Sequence, residues 1–546
     1  MSLLVDFRER FFTPHRTLLV ILLVAFVARA VCAIWFRGII DGEGAEYARM
    51  AQNLVSGAGY VGIATDGNQL VFPPLFPFLI AAVSFLTGDA EAAGRVVSVI
   101  VGSLVVVPVY LIAHKMYGER IAILAAALTG LHPYFVQLSS TVFCEPTYLT
   151  IVFFAIYMAM RAMDNHSARN LFGMGVLYGL AFLVRQEALA YVVVGSVFVG
   201  LQIAISQHRY RAAVFSRLPL IALGFFLVAG PYIAWLSEQT GQFRVQGKSP
   251  LNISTESRIQ QGMSTDEAAF AVAPDLTLPG IWMRPSLTTI RDYKMSAGEL
   301  VHVLLVRAKW VAIDASATIA GSLELGSPFL FALAVLGLFS RLWSIQRLIT
   351  NAHIATLLAL VPVGLLFTYV VGPRFYVLFV PFLCIWAIPG IIVFSQWAKR
   401  SAAMCGLAPV PQFKVGAAAR TVALLSVLLP SAAFAAWRLK DANAQRPFKE
   451  AIVSLSAKQP APMRIADTST LAAFHARANF VWLPYCDEAT ALRFLAKVGA
   501  SHVVLRSDLG DRPYLKKWME EGIPGARQLI SMSSRGLQFQ VYELGR

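Results

Sequence analysis

Runs of about 20 apolar residues recur along the first 437 positions of this 546-residue chain, and each is the length a helix needs to cross a bilayer. A soluble protein of this length has no use for 57% hydrophobic residues against 14% charged ones. The sequence is therefore that of a polytopic membrane protein. Eleven spans are expected, near 17–36, 94–113, 120–136, 146–162, 171–184, 188–205, 218–236, 328–342, 354–371, 376–396 and 417–437. The net charge of +15 does not point to nucleic acid, because no basic cluster is interleaved with aromatics and the basic residues follow the loops. The five cysteines (Cys32, Cys144, Cys384, Cys405 and Cys486) are scattered, with neither a disulfide framework nor a metal-ligand spacing.

Charge orients the spans. Lys and Arg in short loops favour the cytoplasm. If the apolar stretch 71–86, which opens with Pro73-Pro74, does not cross, sixteen basic residues from Arg8 to Arg420 fall on the cytoplasmic side. Only Arg37, Arg49, Arg95, Arg185 and Arg374 then fall in short outer segments. If it does cross, every later loop inverts and the bias is lost. The stretch is thus expected to be a juxtamembrane or re-entrant helix lining an outer cavity. On this topology the N-terminus is cytoplasmic, and Asp41, Glu43, Glu46, Glu145, Arg185, Glu187 and Arg374 gather at the outer face. Arg29, inside the first span, is expected to face protein, water or phosphate, or to snorkel outward.

Two outer loops, 38–92 and 237–327, belong to a membrane domain of residues 1–437. The second is long enough to be functional. It should contain an amphipathic helix, Glu299 to Ile313, with Val301, Leu304, Leu305, Ala308 and Ala312 on one face. Residues 438–546 change character. Short helices and strands alternate there, as expected of a small extracytoplasmic α/β domain. Strands are expected at 463–466, 480–483, 502–505 and 538–542, with helices at 448–457, 488–498 and 513–520.

Several short motifs follow one another. Glu43 stands four before Tyr47 in the first outer loop; then come Leu54-Val-Ser-Gly-Ala-Gly-Tyr60, Phe72-Pro-Pro-Leu75, and Gly94-Arg95 opening a helix. Further on are Glu145-Pro146, Leu183-Val-Arg-Gln-Glu187, and Arg374-Phe375 leading to Pro381. In order and spacing they resemble the integral-membrane GT-C glycosyltransferases of the protein O-mannosyltransferase and aminoarabinose-transferase type, over roughly residues 17–400. The resemblance implies a sugar donor carried on a polyprenyl phosphate, no nucleotide sugar, and a lipid, glycan or protein acceptor outside the cytoplasm. It implies an inner-membrane enzyme. The family's first-loop catalytic residue is usually Asp; here the position is Glu43, with Asp41 as the fallback. Val71-Phe72 replaces the Glu-Lys pair that precedes Pro-Pro in aminoarabinose transferases, which argues against that substrate. The Trp-Trp-Asp motif of oligosaccharyltransferases is absent.

The chemistry expected of these residues is direct. A carboxylate, Glu43, takes the acceptor's proton. Arg374 and Arg185 hold the phosphate, since a guanidinium fork matches phosphate oxygens. Glu145 orients the acceptor or holds a divalent metal together with Glu43; whether a metal is used is left open. Tyr47 stacks on sugar or anchors its loop. Arg95 touches a lipid headgroup, and Glu187 and Arg185 are close enough to pair with each other or with a neighbouring helix. The competing reading is a transporter or lipid flippase, but such proteins carry internal repeats and broken midplane helices, and the ionisable residues here sit at one face.

Overall fold

The computed structural model describes residues 14–36, 38–64, 67–205, 215–283, 295–405, 411–459, 463–508 and 510–545. Arg8, Arg10, Arg37, Arg209 and Arg211 of the loop-charge argument lie outside them.

Each of the eleven expected segments falls largely on helix. Among the described residues, eight helices are long and apolar enough to cross a membrane: His15–Trp35, Ala90–Tyr117, Glu145–Asn165, Ala188–Ile205, Pro219–Thr240, Ile345–Leu365, Phe379–Met404 and Phe413–Lys458. Three other expected segments form the shorter helices Glu119–Gly130, Ala168–Phe182 and Ser327–Leu338. The first of these stops early because His132 precedes Pro133. Clash with the proline ring drives His132 to an extended conformation (φ −60°, ψ 121°), and a new short helix, Pro133–Leu138, begins there. The stretch 71–86 becomes the 13-residue helix Leu75–Thr87, started by Pro74 and ended by Gly88 at φ 70°. Arg29 is fully buried and faces protein, donating to the carbonyls of Ala25 (3.0 Å) and Gly130 (2.6 Å).

The helix of the loop 237–327 is longer than expected, Ala297–Gly321. Its buried residues are Val303, Arg307, Val311 and Thr318, not the apolar stripe through Val301 and Leu305, both of which are exposed. Sequence amphipathicity assumes water outside. Here the polar Arg307 turns inward to Glu256 at 3.5 Å, while Leu305, Trp310 and Ile313 face out, as on a surface that lipid covers.

Past residue 437 the last long helix continues unbroken to Ala444 and is followed by Arg446–Lys458. Five strands come next: β1 (Arg464–Asp467), β2 (Asn479–Trp482), β3 (His502–Arg506), β4 (Ala526–Ser534) and β5 (Leu537–Leu544). Their order is β2-β1-β3-β5-β4; β1 runs parallel to both neighbours, and β5 is antiparallel to β3 and β4. The helices Glu488–Lys497 and Leu515–Glu521 cover the sheet, with Trp518, Phe494, Val503 and Leu505 buried between them. Strand β4 is the one element of the sheet that the sequence pattern does not announce.

Polar ties seat this unit on the helices. Arg49 donates to the carbonyls of Ala473 (3.0 Å) and Ala478 (3.3 Å), and Lys449 pairs with Glu91 at 2.8 Å. The long loop 237–327 is stitched to it as well. Asp266 binds Arg512 at 2.6 Å, and Phe270 and Val272 exchange backbone hydrogen bonds with Tyr485.

Candidate active site

The helix Gly42–Val55 starts at Asp41, whose side chain accepts from the Glu43 backbone N–H at 2.9 Å and so caps the helix. Glu43 sits in its first turn. The helix is pressed against the loop that precedes Glu145. A methyl in place of the Gly44 hydrogen would stand 2.6 Å from the Val142 carbonyl oxygen, and one at Gly94 would stand 2.7 Å from the Val142 side chain. Only glycine allows that approach, and it sets Glu43 and Glu145 on one cleft.

The cleft has a volume of about 500 Å³, and its lining includes Glu43, Tyr47, Phe72, Glu145, Arg185, Glu187, Lys248 and Arg374. Carboxylates and cations alternate. Arg374, held in the short turn Pro373–Tyr376, reaches Glu43 at 2.9 Å and Asp41 at 3.9 Å. Lys248, at the start of the helix Lys248–Gln260, reaches Glu43 at 3.4 Å and lies over the Phe72 ring. Arg185 holds Glu145 at 2.8 Å and Glu187 at 2.9 Å. Tyr47 donates to Cys144 Sγ (3.4 Å), which in turn donates to Glu145 (3.7 Å), and it packs edge-on against Phe72 and Phe76.

These neighbours set the acidity. Removal from bulk water would push the Glu43 carboxyl up, but Lys248, Arg374 and Arg185 outweigh that and hold it at about 2. For Asp41, at the rim, partial removal from bulk water outweighs the attraction of Arg374, and its carboxyl is raised. Arg374 and Arg185 are both held above their ordinary range. Burial opposes this, but Glu43 leads the carboxylates that outweigh it at Arg374, and Glu187 those at Arg185.

The cleft therefore gathers Glu43, Glu145, Tyr47, Arg185, Glu187 and Arg374, with Asp41 against Arg374 at its edge. Arg95 is engaged elsewhere: it pairs with Glu91 at 2.5 Å, donates to the Phe36 carbonyl and stacks on the Phe36 ring. Among the described residues no group of three or more His, Cys, Asp or Glu side chains converges as metal ligands, and Glu43 and Glu145 are each taken up by a cation.

Lys248 was not anticipated; it lies 205 residues from Glu43 in a polar stretch without motif. Nor was the wall of the cleft formed by Phe270, Trp282, Thr468, Ser469, Thr470 and Trp482.

Behind that wall Asp467, at the end of β1, is fully buried, and its Oδ2 finds no hydrogen-bond partner among the described residues. Burial, only partly offset by Arg506, lifts its carboxyl from 3.8 to about 7. The folded state thus keeps a proton that the unfolded chain releases. That contribution to stability is complete below pH 3.8 and is lost as pH rises through about 7. The thermal midpoint of the wild type should fall between pH 5 and pH 8. Asp467→Asn should flatten that fall, gaining on the order of a few °C at pH 8 and little at pH 5. Parallel curves for the two proteins would refute the assignment.

Known proteins share this architecture. Residues 72–235 match the family model described as dolichyl-phosphate-mannose-protein mannosyltransferase. No curated protein matches the chain. Among solved structures, ArnT from Cupriavidus metallidurans bound to undecaprenyl phosphate superposes with a TM-score of 0.54 at 12% identity, covering 97% of this chain and 99% of that one. The archaeal oligosaccharyltransferase AglB from Archaeoglobus fulgidus, in complex with an inhibitory peptide and a dolichol-phosphate, gives 0.52 at 12% identity, covering 89% and 69%. At such identities the likeness is one of fold. With eight helices of spanning length and composition among the described residues, a small C-terminal sheet and these neighbours, the chain is a polytopic membrane protein with the GT-C glycosyltransferase fold.

Proposed function

We propose that this protein transfers a sugar, hexosyl or pentosyl, from a polyprenyl-phosphate donor to an acceptor on the extracytoplasmic side of the membrane, with inversion at the anomeric carbon. One observation carries the reading: Glu43 is clasped by two cations from distant parts of the chain, Arg374 at 2.9 Å and Lys248 at 3.4 Å, in a cleft shared with Arg185 and Glu145. Undecaprenyl phosphate and dolichol-phosphate in the two structural neighbours, and the mannosyltransferase match, support the donor class.

In this mechanism the donor phosphate takes up Arg374 and Lys248, with Arg185 nearby. The acceptor hydroxyl attacks the anomeric carbon from the opposite face. The new C–O bond forms as the bond to phosphate breaks, and the polyprenyl phosphate leaves with the electron pair. Glu43 takes the hydroxyl proton, and the fixed cations stabilise the charge growing on phosphate. A carboxylate held at about 2 is a weak base, so the phosphate must draw the cations off Glu43 to restore its basicity. Donor binding and base activation are then one event. Glu145, Glu187 and Tyr47 orient the groups around the reacting atoms. Arg95, tied to Glu91, lies apart from this machinery. The membrane part (1–437) has its N-terminus in the cytoplasm, and the part from 438 to 546 faces outward with the cleft.

The test is donor binding. Undecaprenyl phosphate should raise the melting temperature of the purified protein, and Arg374→Ala should abolish both that rise and sugar transfer. Arg374 is three-quarters buried against Glu43, so the unliganded variant should melt below wild type, and the readout is the lipid-induced rise of each protein over its own unliganded baseline. A full lipid-induced rise in the variant would remove the assignment.

A further inference from the structure

Strand β1 is flanked on both sides by parallel strands. The chain leaves it for β2 on one side and later returns to β3 on the other. In open α/β sheets the crevice at such a switch point, beyond the carboxyl ends of the strands, is where ligands bind. In this protein that crevice opens into the cleft. The residues immediately after β1 (Thr468, Ser469 and Thr470) and the last residue of β2 (Trp482) line the same cavity as Glu43 and Arg374. Thr470 Oγ1 approaches the Gly42 carbonyl, one residue before Glu43, at 3.5 Å. Two places where a ligand is expected on separate grounds thus coincide.

Resting on the transferase reading above, we infer that the C-terminal α/β unit is a saccharide-binding module that receives a glycan acceptor at the end of β1 and β2 and presents its hydroxyl to Glu43. The chemistry of the wall selects this class. Its contribution to the cavity is three hydroxyl side chains and an indole, with no Lys or Arg, so it suits a neutral, hydroxyl-rich partner. The Trp482 ring lies 4.6 Å from that of Phe270, and Trp282 from the outer loop adds a further aromatic face. Sugars carry apolar C–H faces that rest on such rings and hydroxyl edges that pair with Ser, Thr and indole N–H. Trp482 Nε1 is buried and has no hydrogen-bond partner among the described residues.

A peptide is disfavoured because strand addition needs free backbone groups at a sheet edge. Just past β2 those groups are used by the chain itself: Tyr485 N–H donates to the Phe270 carbonyl at 2.8 Å, and Val272 N–H to the Tyr485 carbonyl at 3.1 Å.

Purified full-length protein, a radiolabelled polyprenyl-phosphate sugar and two acceptor pools, an envelope glycan fraction and a Ser/Thr-rich peptide mixture, provide the test. Label is expected in the glycan pool. Trp482→Ala should raise the glycan concentration for half-maximal rate about 10-fold or more with kcat little changed, and Trp482→Phe, which keeps the ring but not the N–H, should recover part of it. Ser469→Ala, a small change outside the packed core, should move the same parameter in the same direction. Stabilisation by undecaprenyl phosphate should be unchanged in all three. Label in peptide, or wild-type glycan dependence in both Trp482→Ala and Ser469→Ala, would overturn the inference. Wild-type protein that undecaprenyl phosphate fails to stabilise would instead overturn the transferase reading.

Discussion

Glu43→Gln should lower sugar transfer by about 10²–10⁴-fold, the range a positioned general base supplies, and should not weaken donor binding. The second half of that expectation is the sharper one. In this structure Glu43 competes with any incoming phosphate for Arg374 and Lys248. Replacing the carboxylate with an amide of the same shape removes the competitor, so undecaprenyl phosphate should stabilise the variant as well as or better than the wild type. A residue that merely tied the loop together would show the reverse, weaker binding with modest loss of rate. Lys248→Met adds a pH readout. Taking one cation from Glu43 raises its pKa in the free enzyme, so the acid limb of the kcat/KM profile should move to higher pH by about one unit. Transfer by Glu43→Gln within tenfold of wild type, or an acid limb that stays put in Lys248→Met, would show that another group takes the proton.

Parts of this site were legible in the sequence for identifiable reasons. Spans are written in length and composition, so Ala188–Ile205 agrees with its expectation to the residue. Glu43, Glu145, Arg185 and Arg374 stood out because each follows or opens an apolar run on the same face, in a recurring order of short motifs. Lys248 had no such address. Its partner is 205 residues away, and only tertiary structure brings them together. Strand β4 escaped because its pairing with β5 is interrupted by a register shift between Gln528 and Ile530, which breaks the alternation a strand pattern depends on. Its turn, Arg535-Gly536 with φ of 51° and 82°, lacks the Asn or Asp that marks such hairpins. The apolar stripe of the helix Ala297–Gly321 does not tell which side is buried, because the rule for amphipathic helices presumes water on the other side, and here Leu305 and Trp310 are exposed while Arg307 is buried. The contribution of the C-terminal unit to the cleft follows from strand order, which no local pattern encodes.

The largest effect on stability should come from Arg185. Glu145 is 1% exposed and Arg185 17%, and they meet at 2.8 Å. Deleting one partner of a buried pair strands the other's charge, which costs about 3–5 kcal/mol, whereas replacing both by neutral groups of similar volume is often close to neutral. Arg185→Met should therefore lower the melting temperature steeply at neutral pH, while Arg185→Met combined with Glu145→Gln should recover most of the loss. Glu187, about half exposed, keeps its own access to water and should not add to the penalty. The double variant then separates scaffold from chemistry. If Arg185 also holds the donor phosphate, the restored protein should still transfer sugar far more slowly than wild type and gain less stability from undecaprenyl phosphate. A double variant that is both stable and fully active would make the pair purely architectural and leave Arg374 and Lys248 to carry the phosphate alone.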